Sequence, residues 1–149
     1  MVAPSFKPLR LSAQDGDDLQ IVSAAFQDAV TKIADLNYDP KARRFTLAAS
    51  RFLWESSKPK GRGWRTRSAL DIGSVLSVRY LNLRRDAPDA VLSLLSIRFE
   101  AADEPGGLIT LEFSGGGAVR LDVECVDAML ADISDPWPAI RRPDHKHAT

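Results

Sequence analysis

The run from Leu108 to Ile133, LITLEFSGGGAVRLDVECVDAMLADI, changes its apolar period part-way along, and that change constrains the fold more than any other feature of the chain. Ile109, Leu111 and Phe113 alternate with Thr110 and Glu112. Beyond Ser114 and three glycines, Val119, Leu121, Val123 and Cys125 alternate with Arg120, Asp122 and Glu124. A period of two predicts two strands, each with one buried and one wet face, joined by a hairpin whose glycines permit positive φ. Cys125 falls on the buried parity. From Val126 the apolar positions are Val126, Met129, Leu130 and Ile133, a spacing that predicts one helical stripe ended by Ser134, Asp135 and Pro136. Burying Met129, Leu130 and Ile133 on such a helix would contribute about 1.5–3 kcal/mol each.

Upstream, residues 1–14 read as an extended arm. Asp15 to Asp18 supply an N-cap and an acidic first turn for a short helix carrying Leu19, Val22, Phe26 and Val30, or for one that ends near Ala25. Asp39 and Pro40 mark a turn between a strand ending near Tyr38 and one running from Arg43 to Trp54. In the second of these Phe45, Leu47 and Ala49 share a face while Phe52 and Trp54 take the other, so a bulge is expected near Ser50 or Arg51. SSKPKGRG, residues 56–63, reads as a surface loop. Further strands are expected at Leu70–Ile72, Val75–Leu83 and over residues 90–100, where the shift in parity suggests a start covered on both faces. The organisation expected is an arm at 1–14, a single α+β domain at 15–135 and a polar flexible tail at 136–149, where Pro136, Pro138 and Pro143 forbid a continuing helix.

Seven antiparallel strands with a short N-terminal helix and a C-terminal amphipathic helix resemble the pleckstrin-homology-like (PH-like) barrel, a bent sheet plugged at one end by its last helix. The alternative is an open antiparallel sheet packed on two helices. FQDAVTKIADLNYDPKARRFTLAASRFLWE from Phe26, AVLSLLSIRFE from Ala90 and GGLITLEFSGGGAVRLDVECVDAMLADISDPW from Gly106 together cover about half of the chain. In their succession they resemble the family catalogued as domain of unknown function 2948 (DUF2948), small proteins found mainly in proteobacteria. The resemblance implies a small bacterial domain and no particular activity. Ser50 departs from it, because an asparagine is expected there.

Charge is balanced overall, 20 Lys plus Arg against 20 Asp plus Glu, but not locally. Lys41, Arg43, Arg44, Arg51, Lys58, Lys60, Arg62, Arg65 and Arg67 stand in one segment with a single acid, Glu55. Between Glu100 and Asp135 nine acids accompany a single base, Arg120. Either the two segments neutralise one another, across a folded surface or between subunits, or the first forms a basic binding surface. The candidate anion- or partner-binding residues are therefore Lys41, Arg43 and Arg44 in one turn and Lys58, Lys60, Arg62, Arg65 and Arg67 in a loop. Gly115, Gly116 and Gly117 complete the set, at a tip expected beside the Lys41–Arg44 turn.

Catalytic constellations are missing from the pattern. Both histidines, His145 and His147, lie in the tail, so Ser-His-Asp and Cys-His schemes have no imidazole within the body of the chain. Cys125, the one cysteine, excludes an internal disulfide and any multi-cysteine zinc site. Asp144, His145 and His147 make a poor metal site, and Ser114–Gly117 matches neither nucleotide-binding loop pattern. No metal, cofactor or catalytic residue is expected. With no apolar run near the ~20 residues of a membrane span and no secretory signal pattern, a cytoplasmic location is expected. The reading is a non-enzymatic module that binds a protein partner, itself or a ligand. Nucleic-acid binding, with Phe45, Phe52, Trp54 and Trp64 among the cations, is possible but not favoured, because the turn and the loop would lie at opposite ends of a barrel. A third class is an enzyme whose Asp, Glu, Arg or Tyr groups converge only in three dimensions.

Overall fold

A computed structural model describes residues 6–55, 61–140 and 143. Its elements in chain order are β1 (Arg10–Ala13), α1 (Gly16–Ala25), β2 (Val30–Lys32), β3 (Leu36–Asp39), β4 (Arg44–Phe52), β5 (Trp64–Ile72) and β6 (Val75–Leu81). There follow β7 (Val91–Ala101), β8 (Gly107–Phe113), β9 (Ala118–Val123), β10 (Ala128–Asp132) and β11 (Trp137–Pro138). The fold is α+β and dominated by antiparallel sheet. The strand order is β1-β10-β5-β4-β2-β7-β8-β9-β6, with β3 also on β4 and β11 on β5.

The sheet is not closed; β1 and β6 are its two ends. Two larger halves, β10-β5-β4 and β7-β8-β9-β6, meet through the three residues of β2, where Val30 faces Ser50 on one side and Ser93 on the other. One core draws on both halves, with Phe45, Leu47, Leu70 and Ile72 from the first and Ile97, Ile109, Leu111, Val119 and Leu121 from the second. Leu19 and Val22 of α1, and Phe26 at its end, are fully buried in that core. Asp15 starts this helix as expected, its Oδ1 accepting the Asp18 N–H at 2.8 Å. Helix α1 ends at Ala25, the shorter of the two expected lengths, and Val30 belongs to β2.

Among the described residues there are eleven strands rather than seven, and α1 is the only α-helix. The C-terminal helix expected over Val126–Ile133 is instead β10, paired with β5 from Ala128↔Ile72 to Asp132↔Ser68. Ala128 and Leu130 turn inward, Met129 is half-buried, and Ile133 is 58 % exposed, so the supposed stripe does not share one buried face. Neither a helix-plugged seven-stranded barrel nor a two-helix open sheet describes this chain.

Strand β4 runs without the bulge expected near Ser50: its register on β5 is continuous from Phe45↔Ile72 to Phe52↔Arg65. Arg51 therefore keeps the parity of Phe45, Leu47 and Ala49 and points to the core side. The real irregularities are in β7, between Leu94 and Ser96, and in β6, between Val75 and Ser77. Each ejects a leucine, Leu95 or Leu76, to nearly half exposure. The bulge at Leu95, rather than cover on both faces, lets Leu94 and Ile97 be buried together. A 3-10 turn, Ile33–Asp35, divides the first expected strand into β2 and β3, which is why its apolar residues do not alternate. Residues 10–13 of the expected arm form β1, and residues 137–138 of the expected tail form β11.

Candidate functional site

Arg51 is 1 % exposed, and its side chain lies where β4, β5 and β10 run side by side. Its Nε donates to Asp132 Oδ1 at 2.7 Å and its Nη2 to Asp132 Oδ2 at 2.8 Å, a two-pronged pair across the end of the core. Ser68, between them on β5, donates from Oγ to Oδ1 at 2.7 Å, and the Leu9 N–H donates to Oδ2 at 2.8 Å. Each oxygen of Asp132 thus accepts two hydrogen bonds, which matches the lone-pair capacity of a carboxylate. Burial opposes the Asp132 charge, yet the bonds from Arg51, Ser68 and Leu9 outweigh it and hold the carboxyl below its usual range. Burial likewise opposes the Arg51 charge, and Asp132 with Glu55 reverses that opposition and raises its pKa. Glu55 takes two more bonds, from Nη1 at 3.1 Å and Nη2 at 2.9 Å, while remaining 49 % exposed.

Above this pair opens a cleft of about 600 Å³. One wall is the outer side of α1, with Ile21, Ala24 and Ala25; the opposite wall is Leu9 and Leu11 at the start of the chain's first strand. Trp54 and Gln27 complete it, and Arg51 and Glu55 form its polar end. Ile21 is 60 % exposed although Leu19 and Val22 of the same helix are fully buried. A concave, mostly apolar site of this size with a few fixed polar groups is the usual form of a small-molecule site. Nothing in the local pattern marked it. It is built from three distant segments and a charge pair that occupies core positions.

The candidate residues read from the sequence are not brought together. Lys41 lies in the exposed turn before β4. Arg43 donates to Glu124 at 2.8 Å, and Arg44 makes a two-pronged pair with Asp71 at 3.1 and 2.7 Å. That bond raises the Arg44 pKa, with the Asp71 charge adding to it. Arg65 and Arg67 are in β5 and not in a loop. Arg67 pairs with Asp35 at 3.2 Å, and Arg65 donates to the Ser50 carbonyl at 3.0 Å and lies over the Phe52 ring. Burial lowers the Arg65 pKa, and the charge of Asp28 works against that fall. Arg62 is exposed, and Lys58 and Lys60 lie outside the described residues, as do His145 and His147.

The glycine tip is also elsewhere. Gly115 and Gly116 have φ of +81° and +85° and turn β8 into β9, as the hairpin requires. Gly117 packs on Leu83. Arg43, through Glu124, sits by the far end of β9, six residues or about 20 Å from the tip. Cys125 lies beyond β9 in a turn, half-buried, with Sγ 3.6 Å from Ser74 Oγ, and not inside the sheet.

Two arginines outside the basic segment stand together. Arg79 of β6 stands directly opposite Arg120 of β9, and neither has a carboxylate partner among the described residues. The Nε of Arg120 is buried without an acceptor. Among the described residues no group of three His, Cys, Asp or Glu could hold a metal ion, and no helix is long and apolar enough to cross a membrane.

A family model described as protein of unknown function (DUF2948) matches residues 9–145. No curated protein and no solved structure matches the chain.

Proposed function

Because the chain belongs to this family of unknown function, DUF2948, we propose from the site itself that the protein is a non-enzymatic binding module whose cleft between α1 and β1 takes a small apolar ligand. The observation that carries this reading is the cleft: about 600 Å³, walled by Leu9, Leu11, Ile21 and Ala24, with Arg51 of the buried Arg51–Asp132 pair at its polar end. The pair is suited to hold the cleft's shape, since it ties β4, β5, β10 and the Leu9 backbone together at its floor. Titration with the neutral probe 1-decanol, followed by amide chemical shifts, tests the reading. Saturable shifts centred on Leu11, Ala24, Ala25 and Gln27 are expected; the absence of saturable shifts there refutes it.

A second reading, anion binding, rests on the facing arginines Arg79 and Arg120. Like charges directly across a strand pair oppose folding unless something offsets them, and a bound oxyanion would do so. Inorganic phosphate should shift the amides around Arg79 and Arg120, and Arg120→Gln should abolish that response; unchanged spectra in phosphate would dismiss this reading.

A further inference from the structure

We propose that the ligand of the cleft carries a cationic amine head bound by the Glu55 carboxylate, an inference that rests on the cleft being a ligand site. The charge balance at the polar end points this way. Among the described residues Arg51 is the one cation lining the cleft, and two carboxylates, Asp132 and Glu55, share it. Asp132 is 0 % exposed and takes both Nε and Nη2 of Arg51 at 2.7 and 2.8 Å, so it offsets the guanidinium within the floor. The remaining negative charge belongs to Glu55, which is 49 % exposed and lines the cleft.

Its orientation is also set. Both Glu55 oxygens are gripped by Arg51, an arginine that is itself 1 % exposed, and each keeps acceptor capacity for one more donor. An anchored carboxylate beside an apolar trough suits an ammonium group on an apolar body, since the head finds a charge-assisted acceptor while the chain leaves water. Trp54, on the same wall, adds a ring of the kind that attracts cations. An anionic head meets the opposite situation: Arg51 is 1 % exposed and aims four of its five N–H donors at the two carboxylates, so a carboxylate ligand would meet the Glu55 charge with a single buried Nη1–H to answer it. Arg65, the next arginine along the basic segment, is turned to the Ser50 carbonyl and the Phe52 ring and does not line the cleft.

The test compares three probes of equal chain length, decylammonium, 1-decanol and decanoate, on the full chain at neutral pH and below the concentrations at which they self-associate. Decylammonium should bind at least about ten-fold tighter than decanol, as expected for a hydrogen bond to a charged group, and decanoate weakest. Glu55→Gln should bring decylammonium to the level of decanol, while Glu55→Asp, which keeps the charge, should retain a preference for the amine. Amide spectra of both variants report that the fold is intact. Equal binding of decylammonium and decanol to the wild type, or an amine preference that survives Glu55→Gln, overturns the proposal and leaves the cleft reading standing. Failure of all three probes to bind overturns both.

Discussion

Replacing Arg51 with Met removes the guanidinium and leaves Asp132 behind, fully buried. Of its four hydrogen bonds only those from Ser68 and the Leu9 N–H remain. Breaking a buried pair by deleting one partner costs about 3–5 kcal/mol, because an uncompensated charge stays in a poorly solvating site. Set against the ~5–15 kcal/mol by which domains of this kind are stable, that is a large share. The loss should depend on pH in a definite direction. In the wild type the carboxyl of Asp132 is held below its ordinary value, so its contribution is fully present above the unfolded pKa of about 3.9 and is lost as pH falls through the folded value. In Arg51→Met, desolvation pushes the same carboxyl up, and it takes a proton as pH falls towards 4, relieving the variant. The gap between the two proteins should therefore be widest at pH 7 and narrow by pH 4.5. The double variant Arg51→Met/Asp132→Leu should recover part of that loss, less about 1 kcal/mol each for the Leu9 N–H and the buried Ser68 hydroxyl, which lose their acceptor. Urea unfolding followed by tryptophan fluorescence at pH 7, 5.5 and 4.5 measures all three. A loss under about 1 kcal/mol at pH 7, or one that stays constant down to pH 4.5, would refute this account of the pair.

Phe26→Ala, at a fully buried position where α1 meets the sheet, should lower stability by about 3–5 kcal/mol in the same assay. Gly117→Ala drives a Cβ into the half-buried Leu83 side chain and sets it 3.3 Å from the Asn82 carbonyl, so a loss of about 1 kcal/mol is expected from chemical denaturation.

Legibility differed sharply between two neighbouring parts of the chain. The hairpin of β8 and β9 was readable because Ile109, Leu111 and Phe113, then Val119, Leu121 and Val123, fill every inward position with an apolar side chain. Strand β10 was not, because its third inward position is Asp132. With an acid there the alternation of Ala128 and Leu130 stops short, and the outward Met129 and exposed Ile133 complete a false helical stripe. In β4 the opposite parity of Phe52 and Trp54 suggested a bulge that does not exist; the register is continuous, with Arg51 taking the inward position and Phe52 buried next to it. A single-strand pattern cannot recognise a buried ion pair, since each partner looks like a solvent-facing residue until the other strand is placed. The signal was nevertheless present: Arg51 shares parity with Phe45, Leu47 and Ala49, and Asp132 with Ala128 and Leu130. In β7 the obstacle was local, a bulge at Leu95 that changes which parity is buried.

The same reasoning explains why the basic segment was a poor guide to a site. Counted along the chain it is a concentration of charge; once folded, Arg43 meets Glu124 and Arg51 meets Asp132, joining it to the acidic segment, while Arg44 and Arg67 meet Asp71 and Asp35. Exposed pairs of this sort contribute about 0–1 kcal/mol each. The buried one shapes the floor of the cleft.

Whether the cleft holds a ligand is decided by filling it. Ala24 is exposed on the helical wall, so Ala24→Trp should occupy the trough without disturbing the core. The variant should keep the wild-type unfolding midpoint and show no saturable binding of 1-decanol by amide shifts. A stably folded Ala24→Trp that binds decanol as the wild type does, with the same amides shifting, would contradict the ligand-site reading.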